Sequence, residues 1–205
     1  MISCAITAGG KASRMHGKTK AFSLIDNEKI IDRNLKVLKK IFPEIIIITN
    51  KYSEFTAYHK LKKYNDFYKD IGPLAGLHSA IKNTTSDFIF ILSSDLPFIS
   101  EKIILELIEK TEKDIEAIIP RIGNNIEPLF GIYNRKILLK LENHIKNKGS
   151  KSMKSFLSNL KVEYIELKDN KENRRAFTNI NSEEDVALAS LRATPIQYRE
   201  DKTNS

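Results

Sequence analysis

Two uninterrupted apolar runs constrain the fold of this chain most strongly. Residues 44–49 include four consecutive isoleucines, and residues 88–92 read FIFIL. Neither run alternates apolar with polar residues, which is typical of strands in a parallel sheet that is buried on both faces. Segments with apolar residues at helical spacing separate the strands, and residues 30–42 form the clearest of them. The sequence therefore predicts an α/β fold: a Rossmann-like three-layer α/β/α sandwich with a mostly parallel sheet.

The length of 205 residues suits one domain. We expect residues 1–191 to form this single domain and the polar residues 192–205 to be a disordered tail. Further strands are expected at 2–7, 117–120, 129–133 and, as an edge strand, 162–167. Further helices are expected at 73–82, from the capping Ser100 onward, at 135–146, at 152–160, and from Ser182, where Ser182 and Asp185 resemble a capping box.

The net charge of +8 favours an anionic partner, which could be a nucleic acid, a nucleotide or a phosphorylated small molecule. For most of this charge, solvated surface lysines are the better explanation. The chain has one cysteine, Cys4, no apolar run long enough to span a bilayer, and no signal-peptide pattern at its start. We therefore expect a cytoplasmic protein that has no membrane partner.

The segment 5–22, AITAGGKASRMHGKTKAF, follows the first predicted strand and contains three glycines and four cations but no carboxylate. Glycines let main-chain N–H groups approach an anion closely, and cations neutralise its charge. The segment is not a Walker loop, because Ala12 stands where that motif needs its first glycine, and G-x-G-x-x-G is absent. Ligands of open parallel sheets bind beyond the carboxyl ends of the strands. This rule places the segment on the same edge of the sheet as the residues after Thr49 and as Asp95.

The spacing of the segment matches the nucleotidyltransferase pattern [LT]-A-G-G-x-x-x-R-M-x-G-x-x-K. Four later blocks follow in order: GPLAG at 72–76, SDLPFI at 94–99, EPLF at 127–130 and FTNINS at 177–182. With these blocks the chain resembles the molybdenum cofactor guanylyltransferases. The resemblance implies a nucleotidyltransferase domain that transfers GMP from GTP to the terminal phosphate of molybdopterin and releases pyrophosphate. It also implies Mg²⁺ as cofactor, and GTP, molybdopterin or molybdenum cofactor, and cofactor-biosynthesis or acceptor proteins as partners.

The resemblance assigns roles to residues of the glycine-rich segment. Thr7, Ala8 and Gly9 would present their main chain to GTP, and Lys20 would contact the nucleotide. Arg14 is our candidate for neutralising the triphosphate charge, so that Arg14, Lys20 and Asp95 form the expected catalytic set. We expect Lys11 and Lys18 to be solvated instead.

Asp95 follows an apolar strand directly, and the family places its magnesium ligand and a GTP contact at this aspartate. A role as a turn or cap residue is the alternative. Asp66 is the candidate for the N1–H and amino edge of guanine, because a carboxylate accepts two hydrogen bonds there. Asp70 competes with Asp66 for this role, and Asn50 is a weaker candidate for a base contact.

Asn179 and Asn181 are implied to lie near molybdopterin, and Asn181 near the pterin or the metal. They could instead only hold the turn before the last helix. Glu127 departs from the family pattern, because many relatives have His-Pro where this chain has Glu-Pro. We assign it no role.

Two alternatives to the guanylyltransferase remain. A related nucleotidyltransferase that uses CTP or a sugar phosphate acceptor would share the glycine-rich segment. A non-enzymatic nucleic-acid binder would explain the net charge, but the sequence shows no nucleic-acid-binding motif, so we expect no nucleic-acid partner.

Overall fold

A mixed sheet with helices on both faces forms the fold. The computed structural model describes residues 1–9, 19–147 and 151–193. The strands are β1 (Ile2–Thr7), β2 (Leu24–Ile25), β3 (Glu28–Lys29), β4 (Ile45–Ile48), β5 (Lys62–Tyr64), β6 (Phe88–Ser93), β7 (Ala117–Ile122), β8 (Asn125–Ile126), β9 (Phe130–Asn134) and β10 (Val162–Glu166). The α-helices are α1 (Ile30–Ile41), α2 (Pro73–Lys82), α3 (Glu101–Glu109), α4 (Leu138–Lys146), α5 (Met153–Leu157), α6 (Lys171–Ala176) and α7 (Glu183–Ala193). Short 3-10 segments cover Lys20–Phe22, Tyr52–Tyr58 and Arg135–Ile137.

The strand order in the main sheet is β10-β7-β9-β6-β1-β4-β5, and β8 pairs with β7. β1 pairs in parallel with β4 and β6, and β4 pairs in parallel with β5. β9 runs antiparallel to both β6 and β7, while β10 is parallel to β7. The carboxyl ends of β5, β4, β1 and β6 therefore meet at one edge of the sheet, where ligands of such sheets bind.

The two apolar runs are buried on both faces of the sheet, as the sequence predicts. Ile45 and Ile47 pack in one core cluster with α1 and α3, whereas Ile46 and Ile48 pack in a second cluster with α2, α4 and α5. All four isoleucines are buried because helices cover both sides. This arrangement confirms the three-layer α/β/α sandwich with a mostly parallel sheet.

Local signals for helix ends are confirmed in the structure. Ser100 accepts a hydrogen bond from the main-chain N–H of Ile103 and caps α3. Asp185 accepts hydrogen bonds from the N–H groups of Asn181 and Ser182, and Ser182 Oγ accepts one from Asp185 in return. The reciprocal bonds are those of a capping box with the shorter acid.

Several elements were not predicted. β2 and β3 form a small hairpin whose turn residues Asp26 and Asn27 have φ of 52° and 61°. β5, β8 and α6 are the other strands and α-helices that the sequence did not indicate, and it did not indicate the 3-10 segments Lys20–Phe22 and Tyr52–Tyr58 either. The predicted helix at 135–146 begins as a 3-10 turn and becomes α-helical only at Leu138.

Some expectations lie partly or wholly outside the described residues. These include the roles of Arg14, Lys11 and Lys18 and the disordered tail, of which residues 194–205 are outside the description. The single-domain boundary at residue 191 stays a prediction. Cys4 is fully buried in β1, and burial raises the pKa of its thiol, which fits a core residue rather than a nucleophile.

Candidate functional site

A cavity of about 830 Å³ opens at the carboxyl ends of the parallel strands. The ends of β1, β4 and β6 contribute to it, together with the N-terminal turn of α2. Its lining residues include Thr7, Ala8, Gly9, Lys20, Asn50, Asp66, Asp70 and Asp95. Of the eleven residues that the sequence analysis names as candidates for nucleotide, metal or molybdopterin contacts, these eight line the cavity, and Asn181 lies beside it.

Asp95 is held at the rim by contacts of its main chain and side chain. The N–H of the preceding residue Ser94 donates to Thr7 O at 3.1 Å, which ties the end of β6 to the end of β1. The Ser93 hydroxyl donates to Asp95 Oδ1 at 2.5 Å. The Asp95 carbonyl accepts the N–H of Ile180 at 2.9 Å, so the C-terminal block is fixed to the same point.

Lys20 joins the N-terminal and C-terminal parts of the chain. Its Nζ lies 3.2 Å from Asp95 Oδ2 and donates to Asn181 Oδ1 at 2.6 Å. The next residue, Ala21, is fully buried, which fixes the main chain at Lys20. Lys20, Asp95 and Asn181 thus form a compact cluster in which one ammonium donates to two oxygen acceptors.

Asn50 and Asp66 form a reciprocal pair. Asn50 Nδ2 donates to Asp66 Oδ2 at 2.8 Å, and the Asp66 N–H donates to Asn50 Oδ1 at 3.0 Å. Burial raises the pKa of Asp66, and the hydrogen bond from Asn50 only partly opposes this rise. Gly9 lies close by, since a Cβ at that position would be 3.3 Å from Asp66 Oδ2.

Helix α2 points its N-terminus at the cavity. Gly72 has φ 64° and ψ −143°, a conformation that disfavours residues with a side chain, and Pro73 begins the helix. Gly72, Pro73, Ala75 and Gly76 all line the cavity. A Cβ at Gly76 would lie 3.1 Å from Thr7 Cγ2, so glycine allows α2 to approach β1 this closely. The helix N-terminus adds a partial positive charge that favours an anion.

The two asparagines of the FTNINS block have different surroundings. Asn181 belongs to the cluster with Lys20, although the sequence suggested only a position near the pterin or the metal. Asn179 is exposed and is not among the residues that line the cavity.

Glu127 is a residue whose surroundings the sequence did not reveal. Burial and repulsion from Asp95 raise the pKa of Glu127 from 4.5 to about 7, while Lys154 opposes the rise. The carboxyl group is therefore close enough to Asp95 to sense its charge. The unusual Glu-Pro dipeptide was the only signal that could have indicated this.

Within residues 1–9, 19–147 and 151–193, no cluster of three or more His, Cys, Asp or Glu side chains could hold a metal ion alone. Mg²⁺ does not need such a cluster, because it usually takes one or two protein carboxylates and completes its shell with water and phosphate oxygens. The oxygens of Asp95 and Asn181 already face one cation, the Lys20 ammonium. This donor set fits Mg²⁺. None of the helices in the described part of the chain is long and apolar enough to cross a membrane.

The mixed sheet has a cavity at the carboxyl edge of its parallel strands, lined by a glycine-containing turn, a lysine and an aspartate, and such a lining suits an anionic ligand such as a nucleotide. Residues 4–163 match the MobA-like NTP transferase domain family. This chain belongs to that family and is a nucleotidyltransferase enzyme.

Individual relatives agree with this assignment. The chain is 35% identical over 88% of its length to a protein of Clostridium perfringens (strain 13 / Type A) named "Probable molybdenum cofactor guanylyltransferase", of which the match covers 91%. It is 27% identical to the molybdenum cofactor guanylyltransferase of Desulfosudis oleivorans, over 90% of this chain and 92% of that protein. The structure of molybdopterin-guanine dinucleotide biosynthesis protein A from Archaeoglobus fulgidus superposes with a TM-score of 0.77 at 23% identity, covering 94% of this chain and 98% of that one. The last likeness confirms the fold.

Proposed function

We propose that this chain transfers GMP from GTP to the terminal phosphate of molybdopterin and releases pyrophosphate. The observation that carries the proposal is the cluster of Lys20, Asp95 and Asn181 at the cavity rim. It joins three of the sequence blocks that resemble the molybdenum cofactor guanylyltransferases. The name and the 35% identity of the Clostridium perfringens relative support the choice of nucleotide and acceptor.

The proposed reaction is a displacement at phosphorus. An oxygen of the terminal phosphate of molybdopterin attacks the α-phosphorus of GTP and forms a new P–O bond. The bond between the α-phosphorus and the bridging oxygen to the β-phosphate breaks, and pyrophosphate leaves with that oxygen and its electron pair. Both reactants are anions and charge grows on the leaving group, so positioning and electrostatic stabilisation carry most of the catalysis.

The phosphate side of the cavity, which we define as Lys20, Asp95 and Asn181, would hold the triphosphate. Lys20 would exchange part of its contact with Asp95 for phosphate oxygens, and the main chain at Thr7, Ala8 and Gly9 would border the nucleotide. Arg14, which lies outside the described residues, is proposed to neutralise further phosphate charge. The N-terminus of α2 would add its partial positive charge.

Mg²⁺ is the proposed cofactor, and Asp95 would hold it with help from Asn181. When bound, Mg²⁺ would neutralise the charge that develops on the phosphate oxygens. The hydroxyl of Ser93 donates to Asp95 Oδ1 and fixes the orientation of that carboxylate.

The base side of the cavity, which we define as Asn50 and Asp66, would select guanine. A carboxylate can accept hydrogen bonds from the N1–H and the amino group of guanine. Asn50 keeps Asp66 in place through two hydrogen bonds and is a second candidate for a base contact. Asp70 also lines the cavity and stays the competing choice for the guanine contact.

Asn179 and Asn181 are proposed to lie near bound molybdopterin. Asn181 is favoured because it contacts Lys20, whereas only its place in the block supports Asn179. The proposed location is the cytoplasm, which suits a chain whose single cysteine is buried in the core.

The test is pyrophosphate release from purified protein with Mg²⁺ and molybdopterin, measured separately with GTP, CTP, ATP and UTP. We expect GTP to give the highest kcat/KM. Equal or better use of CTP would contradict the guanine assignment and favour a cytidylyltransferase. Release that requires a sugar phosphate instead of molybdopterin would contradict the proposed acceptor.

A further inference from the structure

The segment that carries Asp66 is contacted from two sides. Strand β5 ends at Tyr64, and residues 65 and 66 then line the cavity. Asn50, which follows β4, bonds Asp66 from the side of the sheet and accepts its N–H at 3.0 Å. Ser79 of helix α2 bonds the same segment from the side of the helix layer.

The hydroxyl of Ser79 binds the main chain on both sides of Asp66. Its Oγ donates to the carbonyl of Asn65 at 2.9 Å and accepts the N–H of Phe67 at 2.9 Å. These two groups belong to the peptide units that precede and follow the Cα of Asp66. One side chain therefore fixes both peptide units and, with them, the direction in which the Asp66 carboxylate leaves the main chain.

Ser79 acts from behind the cavity wall. Its exposed fraction is 1%, and it is not among the residues that line the cavity. A serine inside a helix commonly faces solvent or bonds a carbonyl one turn earlier in its own helix. The hydroxyl of Ser79 instead donates to a different segment of the chain, and its only hydrogen is used there.

Helix α2 is a well-fixed support for this contact. One turn before Ser79, a Cβ at Gly76 would lie 3.1 Å from Thr7 Cγ2, so the helix lies directly against β1. The next residue before Ser79, His78, is fully buried, and its Nε2 lies 3.1 Å from Glu142 Oε1 of α4. Side chains carried by packed helices hold a binding group more precisely than loops do.

We propose that Ser79 is a positioning residue for nucleotide choice, which holds Asp66 in place for the edge of guanine. Two hydrogen bonds to a base require a carboxylate in one defined orientation, and Asn50 and Ser79 together supply it. The inference rests on the proposed function, in which Asp66 contacts guanine.

The test compares Ser79→Ala, Asp66→Asn and the double variant Ser79→Ala/Asp66→Asn in the full chain. Calorimetry measures the Kd of GTP, ATP and inorganic triphosphate, each with Mg²⁺ and without molybdopterin. Ser79→Ala should lower the ratio of the Kd of ATP to that of GTP about fivefold, the size expected for a lost hydrogen bond. The Kd of triphosphate should stay unchanged, because the phosphate side keeps its contacts. The double variant should lower the ratio no further than Asp66→Asn, because residues that act through one another are not additive.

Ser79→Cys is a second variant that keeps the shape of the side chain. A thiol is a weaker donor and acceptor than a hydroxyl, so its Kd ratio should lie between those of the wild type and Ser79→Ala.

Ser3→Ala is the matched control. Ser3 is also fully buried, and its hydroxyl shares a hydrogen bond with Thr84 Oγ1 at 2.6 Å, but it lies near the amino end of β1, away from the cavity. We expect this variant to keep the Kd ratio of the wild type. Thermal unfolding of every variant checks that the compared proteins are folded.

Four results would overturn the positioning role. They are a wild-type ratio in Ser79→Ala, an equal weakening of GTP and triphosphate binding, an additive loss in the double variant, and a ratio in Ser79→Cys below that of Ser79→Ala. Protein that shows the expected pattern of nucleotide binding, yet releases no pyrophosphate from GTP with molybdopterin, would overturn the proposed function alone.

Discussion

The two sides of the cavity are built by different means. The base side joins residues that are 16 positions apart, Asn50 and Asp66, through two hydrogen bonds between the ends of neighbouring strands. The phosphate side joins Lys20 to Asn181, which are 161 positions apart, and depends on charge. The base side therefore forms from one local part of the sheet, whereas the phosphate side requires both ends of the domain. We expect nucleotide choice and catalytic rate to be separable by mutation.

Asp95→Ala, on the phosphate side of the cavity, should have the largest effect on turnover. It should not change the choice of nucleotide, which belongs to the base side. The substitution removes the oxygen that faces Lys20 and the proposed metal ligand, and we expect kcat to fall about a thousandfold. Far-UV circular dichroism should be unchanged, because the Asp95 carbonyl still accepts the N–H of Ile180.

Asp87→Ala is the control for this variant, since Asp87 directly precedes β6 at the opposite end of the same strand and is highly exposed. Turnover of Asp95→Ala within a few fold of this control would remove Asp95 from the catalytic set.

Asp66→Asn, on the base side of the cavity, should change the nucleotide preference. We expect this change to be smaller than the fall in kcat of Asp95→Ala. Replacing one carboxylate oxygen by an amide group places a donor against a donor edge of guanine, so the preference for GTP should fall about tenfold to a hundredfold. The measurement is the ratio of kcat/KM for GTP to that for ATP.

Asp70→Asn makes the comparison decisive, because both aspartates line the cavity. If Asp70→Asn loses the preference and Asp66→Asn keeps it, the base contact belongs to Asp70.

Glu127→Gln should have the smallest effect of these variants. It should change the stability of the folded chain rather than turnover. The pKa of Glu127 is about 7 in the folded chain against 4.5 ordinarily, so the folded state binds more protons between these pH values. Stability in the absence of metal should therefore fall as pH rises from about 4.5 to 7, by on the order of 1 kcal/mol after allowance for solvent screening.

The glutamine variant should lack this part of the pH dependence in urea unfolding curves measured between these pH values. Glu109→Gln, an exposed glutamate at the end of α3, should keep it. An unchanged slope in Glu127→Gln would show that burial and the charge of Asp95 do not raise the pKa of Glu127 in the folded chain.

The fold could be predicted where burial alone decides the structure. The isoleucines of β4 and the FIFIL run of β6 have cores on both faces, so their sequences carry no polar alternation. β5 was missed because it is an edge strand, and its sequence KKY has no apolar signature. The β2–β3 hairpin was missed although Asp26 and Asn27 are residue types that tolerate positive φ in a two-residue turn.

The site could be predicted as a set of residues but not as a set of contacts. The rule for carboxyl ends of parallel strands placed Asp95 and the residues after Thr49 on one edge, and the motifs supplied Lys20. Nothing in the sequence indicates that Asn50 pairs with Asp66, or that Lys20 reaches Asn181, because such distances are decided by the packing of the whole sheet.

The reversed direction of β9 has a consequence for how such enzymes can diverge. Because β9 runs against β6, the chain arrives at the rim before β9 begins, and Leu129 enters the cavity wall while its carbonyl bonds the N–H of Ser93. The connection 123–129 between the neighbouring antiparallel strands β7 and β9 contains only the short strand β8 and carries no crossover helix. It can therefore accept insertions and substitutions during evolution while the parallel strands that hold the nucleotide stay unchanged.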